Sequence, residues 1–279
     1  MTKIALLACQ VKIPETRTRA SRDAHVARLV EKLDRQLSRE SVDLVVLPEL
    51  SSIEYSRAAF DRLDELADSV DSTGIDAMKS LAKRHNTHIV FGVPRSDSGA
   101  YYISLLVIDP HGVVIGHYDK LHVAQFGASM EKEFFQRGDH LVAFDVNGFR
   151  IAPIICYDFR FPELCKTLCH DHGAHLILHC AAFARDETFF SWHHFAVTRA
   201  MENQCYFVSL NQAGEQFGNS IVCSPWVDET HPPITFGVDE EFKRIEMDMD
   251  ELNRVRANYA FISDRRDDYL SLPVGSKTL

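Results

Sequence analysis

The sequence predicts an α/β domain whose strands run in mixed directions. Along its 279 residues, short apolar runs alternate with segments of helical periodicity. Several of the short runs are apolar at nearly every position, as expected for strands that are covered on both faces. No linker, internal repeat or low-complexity tract interrupts the alternation. A single domain over residues 1–279 is therefore expected.

The predicted strands begin near the N-terminus and recur to residue 212. Each is a run of apolar residues of strand length, bounded by polar or turn residues. Two hairpins are expected, because the turn sequences DPHG (109–112) and NG (147–148) separate apolar runs. The predicted strands are KIALLACQV (3–11), DLVVLPEL (43–50), HIVFGVP (88–94), YYISLLVID (101–109), RIAPIICY (150–157), AHLILHCAAF (174–183) and CYFVSLNQ (205–212).

Helices are predicted at four places between these strands. Residues 23–37 place apolar side chains on one face at helical spacing. Residues 72–86 begin with a Ser-Thr cap region and continue with a similar pattern. Residues 162–173 start with a proline and end with a glycine, which suits the two ends of a helix. The fourth helix is predicted over residues 189–204.

The charge balance excludes two classes of partner. The net charge is −10 at pH 7, and no block of Lys and Arg is present. Nucleic acids and anionic membrane surfaces both require a basic footprint, so neither is expected to bind. No stretch approaches the roughly 18 apolar residues that crossing a membrane requires. The apolar run near the N-terminus is too short for the core of an export signal and is predicted as a first strand.

The cysteine content predicts reduced thiols and a cytoplasmic location. The number of cysteines is odd, and no CxxC pair is present. Each cysteine must therefore be judged from its surroundings. The seven are Cys9, Cys156, Cys165, Cys169, Cys180, Cys205 and Cys223.

Three polar residues stand at the ends of apolar runs. Glu49 ends DLVVLPEL, Lys120 ends GVVIGHYDKLH, and Cys156 ends RIAPIIC. Open α/β sheets bind their ligands outside the strand ends, so these residues are candidates for a site. Each also has a simpler interpretation when taken alone. Glu49 fits a helix cap, Lys120 a solvated side chain, and Cys156 a buried thiol.

Together the three residues suit acyl transfer at a carbon–nitrogen bond. Cysteine attacks as a thiolate, which a neighbouring cation such as Lys120 stabilises, and the same cation stabilises the oxyanion of a tetrahedral intermediate. Glu49 can take the thiol proton, pass it to a leaving amine and then activate water. The backbone N–H of Tyr157, directly after the cysteine, is a candidate second donor to the oxyanion.

The order of these motifs resembles the nitrilase superfamily of carbon–nitrogen hydrolases. The motifs are LPEL, YDKLH and CYDFRFPEL, and the resemblance extends from IALLACQ near the start to RVRANYAFISDRRDDYL near the end. It implies Glu49 as general base and acid, Lys120 as oxyanion stabiliser and Cys156 as nucleophile. It also implies a four-layer α-β-β-α sandwich, with two sheets packed face to face and helices outside.

The resemblance further implies a second glutamate, placed seven residues before a glycine. In MEKEFFQRGD, Glu131 stands seven residues before Gly138, and Glu133 is the alternative. The role implied for this glutamate is to hold Lys120 charged and to orient it or the substrate. A surface charge beside Lys132 is the simpler interpretation of Glu131.

The stretch after the nucleophile resembles the amidase-like branches, which include ω-amidases and N-carbamoyl amino-acid hydrolases. True nitrilases typically have Trp-Glu at the place of Tyr157 and Asp158. The expected function is hydrolysis of a small-molecule amide through a thioester on Cys156, with release of ammonia or an amine and a carboxylic acid. The alternatives are an N-carbamoyl amino-acid hydrolase, a nitrilase, or a catalytically silent scaffold that binds a small molecule. Arg160 is predicted to bind a substrate carboxylate, or equally to pair with a structural acid such as Glu163.

The resemblance also implies a homodimer or a larger homo-oligomer. Members usually pair through helices near the nucleophile, here residues 165–173 and 189–204. The C-terminal tail from about residue 252 is expected at the same interface.

Several histidines lie between residues 169 and 180, but their spacing argues against a metal site. His175 and His179 fall in a predicted strand, where residues four apart share a face but lie roughly 13 Å apart at about 3.3 Å per residue. No glutamate completes a zinc-protease motif around them. Neither a metal nor a cofactor is therefore expected.

Overall fold

The computed structural model describes residues 2–70 and 72–275, and only the backbone of residue 73. The helices are α1 (Arg19–Leu37), α2 (Arg57–Phe60), α3 (Leu63–Leu66), α4 (Asp76–His85), α5 (Pro162–Lys166), α6 (Trp192–Asn203) and α7 (Met249–Asn258). The strands are β1 (Lys3–Gln10), β2 (Leu44–Val46), β3 (His88–Asp97), β4 (Ala100–Ile108), β5 (Val114–Asp119), β6 (Phe144–Val146), β7 (Phe149–Ile155), β8 (Leu176–Cys180), β9 (Tyr206–Leu210), β10 (Ile221–Cys223), β11 (Ile234–Thr235) and β12 (Glu241–Asp248).

These strands form two six-stranded sheets with the same pattern. The first sheet has the order β12-β1-β2-β3-β4-β5, and the second has the order β11-β10-β9-β8-β7-β6. In each sheet three neighbouring strands are parallel: β1, β2 and β3 in the first, and β7, β8 and β9 in the second. One antiparallel strand flanks each parallel group on one side, and two flank it on the other. The predicted mixture of strand directions is confirmed.

The two sheets pack face to face between two layers of helices. Along β1, Ile4, Leu6 and Ala8 pack in the core between the sheets, whereas Leu7 and Cys9 pack with α1 and α4 on the outside. Helices α5 and α6 cover the outer face of the second sheet. The strands are thus covered on both faces, as their apolar sequences predict. The expected four-layer α-β-β-α sandwich is confirmed.

Local sequence signals explain where the covering helices begin and end. Helix α1 is capped by Thr18, whose side chain accepts from the backbone N–H of Ser21 while the Ser21 side chain accepts from the N–H of Thr18. Helix α4 is followed by Asn86 in the left-handed conformation, at φ 50°, which terminates it. Helix α5 begins with Pro162, where no backbone N–H is needed.

The structure differs from the predicted elements in three ways. Strand β2 ends at Val46 rather than continuing to residue 50, since Pro48 has no N–H to donate to a strand ladder. The helix predicted over residues 162–173 is α-helical only in α5 and continues as a π turn, Thr167–Asp171. The elements α2, α3, β10, β11, β12 and α7 are absent from the predictions.

The described residues include no helix with the length and apolar character needed to cross a bilayer.

Candidate active site

The residues that stand at the ends of apolar runs meet at one end of the two sheets. Glu49 lies three residues after β2, Lys120 directly follows β5, and Cys156 directly follows β7. Glu131 opens a short 3-10 turn, Glu131–Glu133. Glu49, Lys120 and Glu131 are fully buried, whereas Cys156 is partly exposed. The strand ends of both sheets therefore contribute to one site.

The ammonium group of Lys120 is held between two carboxylates. Its Nζ atom lies 2.8 Å from Oε1 of Glu49 and 2.6 Å from Oε1 of Glu131. Burial opposes the charged form, but the two carboxylates outweigh it and raise the pKa of Lys120 well above its ordinary value. Lys120 is therefore a permanent cation within the site.

The Glu49 carboxyl is oriented by a second bond and by its loop. Its Oε2 atom accepts a 2.7 Å hydrogen bond from the N–H of Ala182. The loop lies so close to β3 that a Cβ atom at Gly92 would stand 2.1 Å from the carbonyl oxygen of Pro48, so the position requires glycine. Burial raises the pKa of Glu49 to about 7, with Lys120 opposing this shift. Glu49 can therefore gain and lose a proton near neutral pH.

The structure places the two alternative glutamates in different environments. Glu131 is buried; besides Lys120, its Oε1 accepts from the Tyr55 hydroxyl at 2.8 Å, and its Oε2 accepts from the Ala124 N–H at 2.7 Å. Glu133 instead forms an ion pair with Arg57 at the surface, at 2.7 Å. Glu131 is therefore the one that contacts the lysine.

Gly138, seven residues after Glu131, packs directly against the chain that carries Lys120. A Cβ atom at Gly138 would lie 2.2 Å from the carbonyl oxygen of Asp119. The N–H of Gly138 donates to the carbonyl of Lys120 at 2.9 Å. The glycine spacing in the sequence thus corresponds to a close backbone approach beside the lysine.

Cys156 occupies a sharp turn between β7 and a 3-10 turn, Cys156–Arg160. Its φ of 44° is in the left-handed region, which is uncommon for a residue other than glycine. Burial raises the pKa of its thiol well above the usual range, and Glu49 raises it further, while Lys120 acts in the opposite direction. The raised pKa favours the protonated thiol at rest, so a base must accept its proton before the sulfur attacks.

An aspartate that the sequence analysis did not single out supports this turn. Asp158 is fully buried, and its Oδ2 atom accepts from the N–H of Ile155 at 3.0 Å and from the Tyr118 hydroxyl at 2.8 Å. Its Oδ1 atom lies 2.8 Å from Nδ1 of His122 and accepts from the backbone N–H of that residue at 2.9 Å. Its position two residues after the cysteine in CYDFRFPEL is the sequence feature by which this aspartate could have been found.

A small pocket opens above the Cys156 thiol. Tyr55, which was also missed by the sequence analysis, lines it together with Ala182, Phe183 and Phe126. A larger cavity of about 530 Å³ lies between α5, α6 and the C-terminal segment and contains none of the clustered residues. The pocket at the thiol is therefore the candidate substrate site.

Tyr157 and Arg160 both line the pocket at the thiol. The Tyr157 ring packs against Phe126 at a centroid distance of 4.8 Å. The Arg160 guanidinium lies over the Phe195 ring, 5.0 Å from its centroid, and its buried Nη2 atom has no hydrogen-bond partner among the described residues.

His175, directly before β8, and His179, within β8, have different partners. Nδ1 of His175 accepts from the N–H of Arg150 at 3.0 Å, whereas His179 is fully buried below Cys156. Across residues 2–70 and 72–275, no group of three or more His, Cys, Asp or Glu side chains is placed to hold a metal ion.

The sequence profile described as carbon-nitrogen hydrolase matches residues 3–230, most of the chain. The chain belongs to this family. This carbon–nitrogen hydrolase is 30% identical over 247 residues to a 2-oxoglutaramate amidase of Bacillus subtilis, covering 86% of the chain and 92% of that relative. It is 28% identical over 254 residues to a nitrilase of Pyrococcus abyssi, covering 86% and 90%.

The fold of the hydrolase is shared with solved structures. One is a CN-hydrolase superfamily protein of Xanthomonas campestris, with a TM-score of 0.80, 22% identity and coverage of 99% and 100% of the two chains. The resemblance to the nitrilase superfamily is thus confirmed. The hydrolase acts on carbon–nitrogen bonds other than peptide bonds, and its relatives include enzymes named as amidases.

Proposed function

We propose that the chain hydrolyses a small-molecule amide through a thioester on Cys156. The observation that carries the proposal is the buried cluster of Glu49, Lys120 and Glu131 beside the cysteine. A thiol with a raised pKa needs a base in contact with it, and a Glu49 carboxyl with a pKa of about 7 is matched to that task.

In the first half of the reaction, the Cys156 sulfur attacks the amide carbon while its proton passes to Glu49. The C–S bond forms, and the electron pair of the carbonyl moves onto the oxygen. Lys120 Nζ and the Tyr157 N–H stabilise this oxyanion. Glu49 then gives its proton to the nitrogen, the C–N bond breaks, and ammonia or an amine leaves.

In the second half, water replaces the departed nitrogen group. Glu49 takes a proton from this water as its oxygen attacks the thioester carbon. The C–S bond breaks, Glu49 gives the proton it took from water to the sulfur, and the carboxylic acid leaves. Glu131 keeps Lys120 charged and in place through both halves, supported by its 2.6 Å contact.

The pocket favours an amide that also carries a carboxylate. Its walls are mostly aromatic and alanine side chains. Its charged groups are Asp186 and Arg160, and the Nη2 atom of Arg160 is unpartnered within the described residues. A substrate carboxylate would satisfy that atom and offset the charge. The similarity to a 2-oxoglutaramate amidase supports this class of substrate. The similarity to a nitrilase keeps nitrile hydrolysis as a second candidate.

The test is ammonia release from a panel of compounds, with wild type and Cys156→Ala. The panel contains simple aliphatic amides, ω-amides of dicarboxylic acids, N-carbamoyl amino acids and nitriles. We expect release from ω-amides that depends on Cys156. Turnover of nitriles alone would overturn the amide assignment. Silence on the panel, together with no selective alkylation of Cys156 by iodoacetamide, would favour the binding scaffold.

We also propose that the chain forms at least a homodimer through α5, α6 and the segment after α7. Phe190, just before α6, is 84% exposed, and the segment after α7 exposes further apolar side chains: Phe261, Tyr269, Leu270, Leu272 and Val274. Exposed apolar side chains of this size favour a partner surface where they form a patch. Residues 276–279 of the predicted interface tail lie outside the described residues. Light scattering of wild type and Phe190→Glu tests the assembly, with a dimer expected only for wild type.

A cytoplasmic location is proposed on the state of the cysteines. All seven are free thiols, and six of them are buried. Free thiols persist in reducing compartments. Fractionation of cells that express the tagged chain tests this location.

A further inference from the structure

His179 is a buried titratable residue that the proposed reaction does not use, and it touches the nucleophile's backbone. It is fully buried in β8, and its Nε2 atom lies 2.8 Å from the carbonyl oxygen of Cys156. Its ring stacks on Phe159, three residues after the nucleophile, at a centroid distance of 4.5 Å. The same turn that carries Cys156 is therefore contacted by this ring twice.

The hydrogen-bond partners of His179 fix its tautomer. A carbonyl oxygen can only accept, so Nε2 must carry the proton. The other ring nitrogen, Nδ1, lies 2.6 Å from the Ser209 hydroxyl, which in turn accepts from the indole N–H of Trp192 at 2.7 Å. Because Nδ1 carries no proton in this tautomer and can only accept, the Ser209 hydroxyl donates to it. The chain of donors runs from Trp192 through Ser209 and His179 to the Cys156 carbonyl.

His179 is neutral in this arrangement. Its pKa is lowered to about 3, mainly by burial; the bond to the Cys156 carbonyl opposes this shift, and the cations Lys120 and Arg160 contribute to it. A neutral imidazole with a fixed N–H acts as a directional dipole rather than as a charge.

The carbonyl of Cys156 belongs to the same peptide unit as the N–H of Tyr157. No cis peptide bond is present among the described residues, so the C=O and N–H of this unit point in opposite directions. A bond that holds the carbonyl down towards His179 therefore holds the Tyr157 N–H up towards the pocket. The bond also polarises the amide and strengthens the N–H as a donor.

We propose that His179, oriented by Ser209 and Trp192, positions the Tyr157 N–H as an oxyanion donor. The proposal rests on the amide hydrolysis proposed above, and it assigns His179 as a positioning residue rather than a catalytic one. The simpler role, a core histidine that satisfies one buried carbonyl, predicts an effect on folding alone. The two roles differ in which step of the chemistry they affect.

Two chemical probes of Cys156 separate these roles. Amide hydrolysis develops an oxyanion, whereas alkylation of the thiol by iodoacetamide is a direct displacement that develops none. Loss of the oxyanion donor should lower the first rate and leave the second unchanged. Damage to the nucleophile or to the fold should lower both.

The variant His179→Phe keeps an aromatic ring against Phe159 but removes the donor. We expect kcat per titrated active site to fall about 10- to 100-fold, with KM and the alkylation rate each within about threefold of wild type. His179→Gln restores an N–H donor and should recover part of the loss. Ser209→Ala removes the hydroxyl that bonds Nδ1, so the tautomer of His179 is no longer fixed. It should lower kcat less than His179→Phe does.

The matched control is Leu176→Ala in the same strand. Leu176 is fully buried, and its loss costs packing without touching the donor chain. We expect a lower unfolding midpoint with kcat within about twofold of wild type, because the site keeps its geometry. If His179→Phe lowers kcat no more than this control does, or lowers alkylation in parallel with kcat, the proposal is overturned.

A spectroscopic readout keeps the inference testable if wild type hydrolyses no amide. In protein labelled with ¹⁵N-tyrosine, the Tyr157 amide is identified by the resonance missing from Tyr157→Phe. Its proton signal should move upfield in His179→Phe, because the amide is less polarised. An unchanged signal would overturn the role of His179, whereas a shifted signal without turnover would remove the proposed function and leave the positioning intact.

Discussion

The two sheets have the same strand arrangement, yet they contribute different chemistry to the site. The end of the first sheet carries Glu49 and Lys120, which are fully buried and paired at 2.8 Å. The end of the second sheet carries Cys156, which is partly exposed, uncharged at rest and held at a φ of 44°. The side of the site formed by the first sheet contains buried charges, whereas the side formed by the second sheet contains a strained backbone conformation.

This difference indicates how each side tolerates change. A buried ion pair that loses one partner leaves an uncompensated charge, which costs several kcal/mol. Replacing an uncharged cysteine by alanine leaves no such charge. Substitutions in the first sheet should therefore affect stability and activity together, whereas substitution of the nucleophile should affect activity alone.

The largest effect is expected for Cys156→Ala. Removal of the nucleophile should reduce turnover by about 10⁴-fold or more, while the unfolding midpoint stays close to that of wild type. Steady-state kinetics and thermal unfolding measure the two quantities. A strongly lowered midpoint would show that the second sheet is as sensitive as the first, and the contrast would fail.

Two glutamates, one buried and one exposed, test whether substitutions on the first-sheet side affect stability and activity together. Glu131→Gln leaves Lys120 paired with Glu49 alone and removes one charge-assisted hydrogen bond, so we expect the free energy of unfolding to fall by about 2 kcal/mol and kcat to fall roughly 100-fold. Glu133→Gln removes an exposed partner of Arg57 and should change neither quantity measurably. Urea unfolding and kinetics decide the matter, and equal effects of the two variants would contradict the assignment of Glu131.

The pH dependence of kcat/KM should reflect the raised pKa of Glu49. Only the ionised carboxylate can accept the thiol proton, so activity is lost as pH falls through about 7. An unperturbed glutamate would place the same loss near pH 4.3. The measurement is kcat/KM between pH 5 and pH 9, and a profile that is flat down to pH 5 would show that Glu49 is not the base.

The smallest effect is expected for Tyr55→Phe. This change removes one 2.8 Å hydrogen bond to Glu131 and keeps the ring that lines the pocket. Loss of one such bond amounts to about 0.5–1.5 kcal/mol, so kcat/KM should fall by at most about tenfold. A larger loss would indicate that the hydroxyl also contacts the substrate.

The positions of Glu49, Lys120 and Cys156 could be predicted because each follows an apolar run that forms a strand. Glu49 and Cys156 follow strands of the parallel groups, whereas Lys120 follows β5, which is antiparallel to its neighbour β4. Tyr55 and Asp158 were not predicted, because their roles come from contacts with Glu131 and Tyr118 that are distant in the sequence. Local patterns do not report such contacts.

The protonation state of the Cys156 thiol also could not be predicted from the sequence. A lysine beside a cysteine predicts a stabilised thiolate, and that expectation counts one cation. The sequence also offers Glu49 and Glu131, but it does not show how strongly the site is buried, and burial is the largest cause that raises the pKa of Cys156. Strand β12 was missed for a different reason: Ile245 and Met247 alternate with charged residues on the open face of an edge strand, so the segment looks polar overall.

The pairing of β1 with β12 constrains how the chain is made. All eight residues of β1, Lys3–Gln10, pair with Glu241–Asp248, so β1 waits for a partner strand that is synthesised more than 230 residues later. At about 5–20 residues per second, this wait lasts on the order of ten seconds or more. Throughout it, the apolar KIALLACQ strand has an unpaired edge that can recruit other nascent chains. A message truncated before residue 241 would make that exposure permanent.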